Sequence, residues 1–488
     1  MKRRHLALAL FVASSLVACA SLLARRQLGF LGGLADEWFL AGMNLRAFGS
    51  FGIVPGQPDA VLAPGYPAFV AAVLLAFAGD PGPSAGAWSL ADPFVVRGLS
   101  AVLLMQAFAL AASAALLFLF LSTRIRRELA FLAGLVLGTS PYSVALAGLL
   151  HYDVVHMLLL VAGGWLLQRA ADQPARPLRL LAAGAAWGLA ALVRPIALIL
   201  PPFVLVGLWW SWRRALVPAL RGAALFVLAM ALVVAPWSVR NRFAVGRLVP
   251  VNSEGWMALW GSTVRALPRD AQHSQWEGLY RSEFLPVFSR VTGQAEYSRP
   301  TFIRYHGALE SAFRAQALAN IAAQPAIYAR NVARAFLTVC LDLNSVVLRI
   351  FEAIQQPGVR MVQDWLRPGR SLDELPARGL GAFTIFFHAA TLLAILGVPL
   401  ALFGRARLVM PVMVLASIVA AHSLVYMDFM YYYVKMPFLI LLAFVALDAA
   451  AELEFALPGG RARIRPARWL AVALTLLSLA TTALVLLP

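Results

Sequence analysis

The sequence predicts an all-α, polytopic membrane protein of about eleven helical spans, with juxtamembrane helices and a large helical loop on the outer face. Three observations lead there. Of the 488 residues, 61% are hydrophobic and 13% charged, with a mean hydropathy of +0.77; a water-soluble domain cannot hide that much apolar surface. Runs of about 20 apolar residues, the length that crosses a hydrocarbon core, recur along the whole chain. The net charge of +18 falls as short basic clusters between those runs. Clusters so placed record orientation in a bilayer, and no nucleic-acid partner is expected.

The runs lie at roughly 5–24, 96–122, 129–148, 154–167, 180–193, 195–211, 222–238, 380–403, 408–426, 436–452 and 469–487. With these crossings, the connections holding MKRR, TRIRR, QRAADQPARPLR, WRRALVPALR, GRAR and GRARIRPAR share one side, which the positive-inside rule makes cytoplasmic. The N-terminus is then cytoplasmic. Three segments face outward: 25–95, 239–379 and the short MDFMYYYVK at 427–435. The chain accordingly divides into a membrane module with the first outer loop (1–238), a large outer loop (239–379) and C-terminal membrane helices (380–488).

Three stretches need separate treatment. AFLTVCLDLNSVVLRIF, 335–351, is apolar enough to span, but one extra crossing there would put GRAR and GRARIRPAR outside; it reads as an outer-face or re-entrant helix. LVAC at 16–19 resembles a lipoprotein processing site ending at Cys19, although an uncleaved first span is the simpler reading. YPAFVAAVLLAFAG, 66–79, is too short to span comfortably and reads as an amphiphilic helix along the outer interface, able to guide a lipid tail. Cys19 and Cys340 both lie in apolar runs, so neither a disulfide framework nor a thiolate metal site is expected.

Charges within the spans are scarce, which argues against an ion path through the bilayer. They gather instead at the outer mouths: Asp36 and Glu37 after the first span, Arg97 entering the second, His151 and Asp153 in LLHYDVV, Arg194 in LVRP, Arg240 and Arg242 in PWSVRNRF, and Lys435 before the tenth. That layout suits a site at the outer leaflet, open to amphiphilic substrates.

The ordered segments DEWFLAGMNLRAFGSFG, APGYPAFVAAVLLAFAG, GTSPYSVALAGLLHYD, GLAALVRPIALILPP, VVAPWSVRNRFAVGRLVPVNSEGWMALWGS and YYYVKMPFLILLAFVAL resemble the membrane glycosyltransferases of the GT-C class. The likeness is greatest to the protein O-mannosyltransferase and lipid A aminoarabinose transferase group. It implies a GT-C-like fold and transfer of a sugar from a polyprenyl-phosphate carrier to an acceptor at the outer face of a bacterial inner membrane. The acceptor class stays open among glycolipid, cell-envelope glycan and protein.

A lipid phosphate is the leaving group in such a transfer, so its departure needs charge stabilisation that Arg or Lys can supply. One carboxylate then suffices to take the proton of the acceptor hydroxyl. The resemblance puts Asp36 in that role. Glu37 points about 100° away on a helix, and orients Asp36 or pairs with an arginine. Asp36 also reads as the N-cap of the helix EWFLAGMNLRAF.

His151 and Asp153 form a second acidic candidate, for positioning the acceptor or holding a metal, although residues two apart on a helix diverge. Capping of the fourth span, or pairing with an outer-face arginine, is the plainer reading of Asp153. Two possible ligands make a poor metal site, so a divalent metal is only weakly supported and no other cofactor is expected. Arg97, Arg194, Arg240, Arg242 and Lys435 can each reach a phosphate at headgroup depth or snorkel to lipid. Lys435 replaces the arginine usual in the family's last outer motif. Tyr66, Trp256, Tyr432 and Tyr433 are candidate donor or acceptor contacts, and the loop 239–379 adds Trp260, Trp276, Tyr280, Tyr297, Tyr305 and His306. The alternative to an enzyme is a lipid or polysaccharide transporter, which would need a polar path through the spans.

Overall fold

The computed structural model describes residues 2–24, 37–81, 88, 92–264, 283–341, 377–425, 434–451, 455–456, 463–464 and 466–486. Among the described residues the architecture is helical, apart from one antiparallel pair of two-residue strands, β1 (Phe455–Ala456) and β2 (Arg463–Ile464). In chain order the helices are α1 (Arg3–Ala24), α2 (Glu37–Phe48), α3 (Gly65–Phe77), α4 (Pro93–Leu121), α5 (Arg127–Thr139), α6 (Pro141–Ala147), α7 (Asp153–Asp172), α8 (Pro177–Val193) and α9 (Pro201–Ser211). There follow α10 (Leu216–Val245), α11 (Gly255–Thr263), α12 (Leu285–Thr292), α13 (Arg299–Ala323), α14 (Pro325–Leu341), α15 (Ala377–Phe403), α16 (Val409–Leu424), α17 (Met436–Ala450) and α18 (Pro466–Leu486).

Among the described residues, the eleven expected runs lie on helices. Four helices there, α1, α4, α7 and α10, are long and apolar enough to cross a membrane, and α3, α8, α15, α16, α17 and α18 are or contain shorter apolar helices. The protein is a multi-pass membrane protein. Where helices begin and end follows local chemistry. Asp92 caps α4 by accepting from the Phe94 backbone N–H at 2.8 Å, with Pro93 in the first turn, the position where a missing N–H costs nothing. The third run divides into α5 and α6 at Ser140, whose extended backbone (ψ 141°) is the conformation that a following proline, here Pro141, favours. The seventh run continues beyond its expected end at 238 to Val245, where Gly246 adopts φ 73° and closes the helix. Arg240 and Arg242 are therefore on the last turns of α10, not in a loop after it.

α7 is the central helix. Val154, Met157 and Val161 face a core shared with α4, α5, α15 and α17, whereas Leu160 and Leu167 face a second core with α8, α9, α10 and α16. A third core joins α2 and α3 to α4, with Tyr66, Val70 and Leu74 fully buried. Helix α3 is thus packed into the protein on one side, and exposes Leu75 and Phe77 on the other. A fourth core, built on Phe288, Leu309 and Phe313 of α12 and α13, reaches the loop around Phe51 and Leu62 and the end of α10. That cluster attaches α12 and α13 to the bundle. Of the stretch 335–351, the described part closes α14, and the remainder lies outside the described residues.

Candidate active site

Two polar clusters meet at one end of the bundle. The first is buried between α7 and α8. Asp153 opens α7 and Arg194 caps the end of α8, so each charge sits where a helix dipole favours it. Arg194 donates to Asp153 at 2.9 Å, with side-chain exposures of 6% and 1%. Desolvating two ions costs several kcal/mol each, in round terms, so such a pair fixes position more than it adds stability. The His151 Nδ1 lies 2.9 Å from the other Asp153 oxygen. The expected divergence of His151 and Asp153 does not occur, because α7 starts at Asp153 and leaves His151 in the preceding turn. The guanidinium of Arg194 also lies over the Tyr152 ring, 5.4 Å from its centre.

This cluster extends inward. His156, one turn along α7, is buried and within electrostatic reach of Asp153 and Arg194. His422 of α16 is buried too, its Nδ1 2.7 Å from the Ile418 carbonyl, and feels Arg194, Lys435 and Asp153. Lys435 is 2% exposed and donates to the Val339 carbonyl in the last turn of α14, where an ammonium is favoured by the helix dipole.

The second cluster ties α11 and α13 to α2. Arg299, in the first turn of α13, grips Glu37 with both ends of its fork, Nε to Oε1 at 2.6 Å and Nη2 to Oε2 at 2.5 Å. It also reaches Glu254, just before α11, at 3.4 Å. The first turns of α2, α11 and α13 therefore converge on one guanidinium. Burial works against the Arg299 charge, but the Glu37 and Glu254 carboxylates outweigh it and hold the group protonated. Burial, reinforced by Glu37, lifts Glu254 to about 7 against the pull of Arg299. Glu310 is likewise raised to about 7 by burial, although it accepts from the Trp256 and Met257 backbone N–H groups at 2.8 and 3.3 Å.

Asp59 anchors the loop between α2 and α3. It is 1% exposed and accepts from the Ile53 and Val61 backbone N–H groups at 2.8 and 3.0 Å. Burial raises its pKa in spite of those bonds. Asn44 of α2 donates to the Gly52 and Ile53 carbonyls, both at 2.9 Å. Arg240 completes this loop's support, donating to the Asp59 carbonyl and, at 2.8 Å, to the Phe51 carbonyl, with its charge 4.7 Å from the centre of the Trp237 ring.

Trp38 joins the two clusters. It follows Glu37 on α2 and packs edge-on against His151 and Tyr152, at 5.9 and 5.2 Å between ring centres. Glu37 and Trp38 thus bind the start of α2 to both groups of charges. Asp36, Tyr432 and Tyr433 lie outside the described residues, as do Trp276 and Tyr280.

The other sequence candidates are scattered. Arg97 is exposed on α4, and Arg242 turns back onto the Gly246 carbonyl. Tyr66 is fully buried, its hydroxyl donating to Gln106 at 2.5 Å. Trp256 lies under Arg314, 5.0 Å from ring centre to guanidinium carbon. Among the described residues no three His, Cys, Asp or Glu side chains are grouped closely enough to hold a metal ion. Sequence reasoning passed over Asp59, His156, Glu254, Arg299, Glu310 and His422. Glu254, the residue before the GWMAL helix, and Arg299, opening α13, carried a usable signal, since charges at helix starts are often paired; the two buried histidines carried none.

Residues 83–238 match the family model described as dolichyl-phosphate-mannose-protein mannosyltransferase. No protein of curated function matches the sequence. Among solved structures, the chain is similar to the archaeal oligosaccharyltransferase AglB from Archaeoglobus fulgidus, in complex with an inhibitory peptide and a dolichol-phosphate (TM-score 0.51, 13% identity, 98% of this chain and 55% of that chain). The apo form of the Archaeoglobus fulgidus oligosaccharyltransferase gives TM-score 0.52, 11% identity, 99% of this chain and 56% of that one. ArnT from Cupriavidus metallidurans bound to undecaprenyl phosphate gives TM-score 0.38, 15% identity, 91% and 78%. This chain spans about half the length of the oligosaccharyltransferase, 55% in the peptide complex. The chain as a whole shares the fold of the archaeal oligosaccharyltransferase, and its residues 83–238 match the family model of the dolichyl-phosphate-mannose-protein mannosyltransferases.

Proposed function

We propose that this protein is a glycosyltransferase that moves a sugar from a polyprenyl-phosphate donor to an acceptor hydroxyl at the outer face of a bacterial inner membrane. The observation that carries the reading is the family match over 83–238, which includes the buried Asp153–Arg194 pair. Trp38 adds support, since its packing on His151 brings the residues after Asp36 to that pair.

In this reading Asp36 accepts the acceptor's proton as the hydroxyl oxygen attacks the anomeric carbon. The bond from that carbon to the phosphate oxygen breaks, and the polyprenyl phosphate leaves with the electron pair. Nearby cations stabilise the departing phosphate; Arg194 and Lys435 are the two that the fold holds in one buried cluster with His156 and His422. Asp153 orients Arg194 through their 2.9 Å bond. Arg240, Arg242 and Arg97 remain donor contacts of second rank, because Arg240 is committed to loop carbonyls and Arg97 is exposed. The acceptor is a glycolipid, an envelope glycan or a protein. The transporter alternative is less favoured by the fold and the family match.

The test uses the purified full chain, a short-chain polyprenyl-phosphate sugar and membrane extract as acceptor source. Asp36→Asn should abolish transfer, by about 10²-fold or more, while donor binding persists. Retained transfer would remove Asp36 from the mechanism. Mass spectrometry of membrane lipids and glycans with and without the protein names sugar and acceptor together; an unchanged profile would count against the activity itself.

A further inference from the structure

The end of α7 far from Asp153 carries a feature that sugar transfer does not use. Helix α7 is 20 residues long, so its two ends are about 30 Å apart at 1.5 Å per residue. Among the described residues, three non-glycine positions have positive φ: Arg213 at 55°, Arg214 at 64° and Arg407 at 45°. All three are arginines, and the two turns that hold them, 211–215 and the one at Arg407, are each bonded to the end of α7. The Trp212 indole, adjacent to Arg213, donates to the Ala171 carbonyl at 2.9 Å, and Gln168 donates to the Arg407 carbonyl at 3.1 Å.

Glycine or asparagine normally fills such positions, since a Cβ there costs roughly 1–2 kcal/mol per residue. Arg213 and Arg214 end α9 in a tight reversal, with the Arg214 N–H bonded to the Trp209 carbonyl at 2.7 Å. Arginine in a strained turn needs a reason beyond the turn itself.

The surroundings supply one. Arg169, Arg176 and Arg179 bring three more guanidinium groups to the α7–α8 turn, with Arg169 and Arg176 close enough to act on Arg179 by charge. The acid of this turn, Asp172, is already bound by Arg124 and Gln168. Arg169 lies over Trp165 and Arg214 over Trp209, at 5.1 and 5.9 Å from the ring centres, as residues of a membrane–water interface do. Just beyond the arginines, Leu178, Leu216 and Val217 are 75%, 55% and 57% exposed. A row of like charges bordering an exposed apolar strip matches an amphiphile with an anionic head and acyl chains.

We propose that the paired turns at 172–176 and 211–215 bind the headgroup of an anionic phospholipid, with Arg176, Arg213 and Arg214 on its phosphate and Leu178, Leu216 and Val217 against its chains. The site stands apart from the Asp153 cluster and holds whether or not the transfer reaction is as proposed.

The test is native mass spectrometry and thermal melting of the delipidated full chain in neutral detergent, with added phosphatidylglycerol, phosphatidylcholine or inorganic phosphate. The wild type should retain phosphatidylglycerol and melt higher with it, and respond to neither of the other two. Arg213→Gly with Arg214→Gly should weaken retention by about 25-fold, at roughly fivefold per arginine near a membrane surface. Because glycine suits both backbone positions, this variant should melt no lower than the parent without lipid. Arg176→Ala should weaken retention without touching the strained turn. Equal retention of both lipids, an equal response to inorganic phosphate, or unaltered retention in both variants would overturn the proposal. A lower melting point of the glycine variant in neutral detergent would do so as well, by showing that the arginines serve folding.

Discussion

Arg299 and Glu37 meet as a two-pronged ion pair across 262 positions of sequence, fastening the start of α13 to α2. Each side chain is about three-quarters covered, with 28% and 25% remaining exposed, so solvent screens the pair only in part. Arg299→Ala should cost about 1–3 kcal/mol, the usual range when a charged hydrogen-bond partner is left behind. Arg299→Lys should recover only part of that, because an ammonium cannot span both carboxylate oxygens. Melting in detergent reads both. A lysine variant as stable as the wild type would mean that the fork geometry is irrelevant.

The acid at 254 gives the junction of α2, α11 and α13 a pH dependence whose sign is fixed. Its pKa rises from the ordinary 4.5 to about 7 in the folded protein. The folded state therefore binds this proton more tightly than the unfolded state, and the resulting stabilisation, complete below pH 4.5, is lost as pH climbs towards 7. Glu254→Gln should raise the melting temperature at pH 8 and narrow the gap between pH 5 and pH 8. An unchanged gap would place the titration elsewhere, with Glu310 next to be replaced.

Asp153 and Arg194 should behave as one unit. Removing either leaves the other charged and buried, at a cost of about 3–5 kcal/mol. The double variant Asp153→Ala with Arg194→Ala should lose clearly less than the sum of the single losses, since neither charge is then stranded. Strict additivity in melting experiments would contradict the 2.9 Å contact.

Gly184 and Gly188 form a small-xxx-small pair where α8 crosses α10. A Cβ at Gly184 would come within 2.2 Å of the Phe226 carbonyl, and one at Gly188 within 3.0 Å of the Met230 carbonyl. Backbone cannot yield as a side chain can, so Gly184→Val should cost about 1–3 kcal/mol by prising the helices apart. A variant that melts like the parent would show that this crossing is loose.

The reach of sequence reasoning differed between the bundle and the site. The spans were readable because each is set by its own composition: a run of apolar residues must become a helix in lipid, whatever it packs against. Single charges at helix ends were readable for the same reason, as Asp153 and Arg194 show. Who partners whom was not. Glu37 found its arginine at the start of α13, Lys435 found the end of α14, and Arg240 turned to the carbonyls of a loop.

By itself, then, the sequence determined an all-helical membrane bundle and the order of its helices. The tertiary structure decided that Glu254, Glu310, Asp59, His156 and His422 share the Asp153 end of the bundle, and that His151 turns towards Asp153. The physical reason is range. Hydropathy and capping act within a few residues and leave their mark in the local sequence, whereas an ion pair between distant helices exists only once packing has brought both ends together and excluded water from between them.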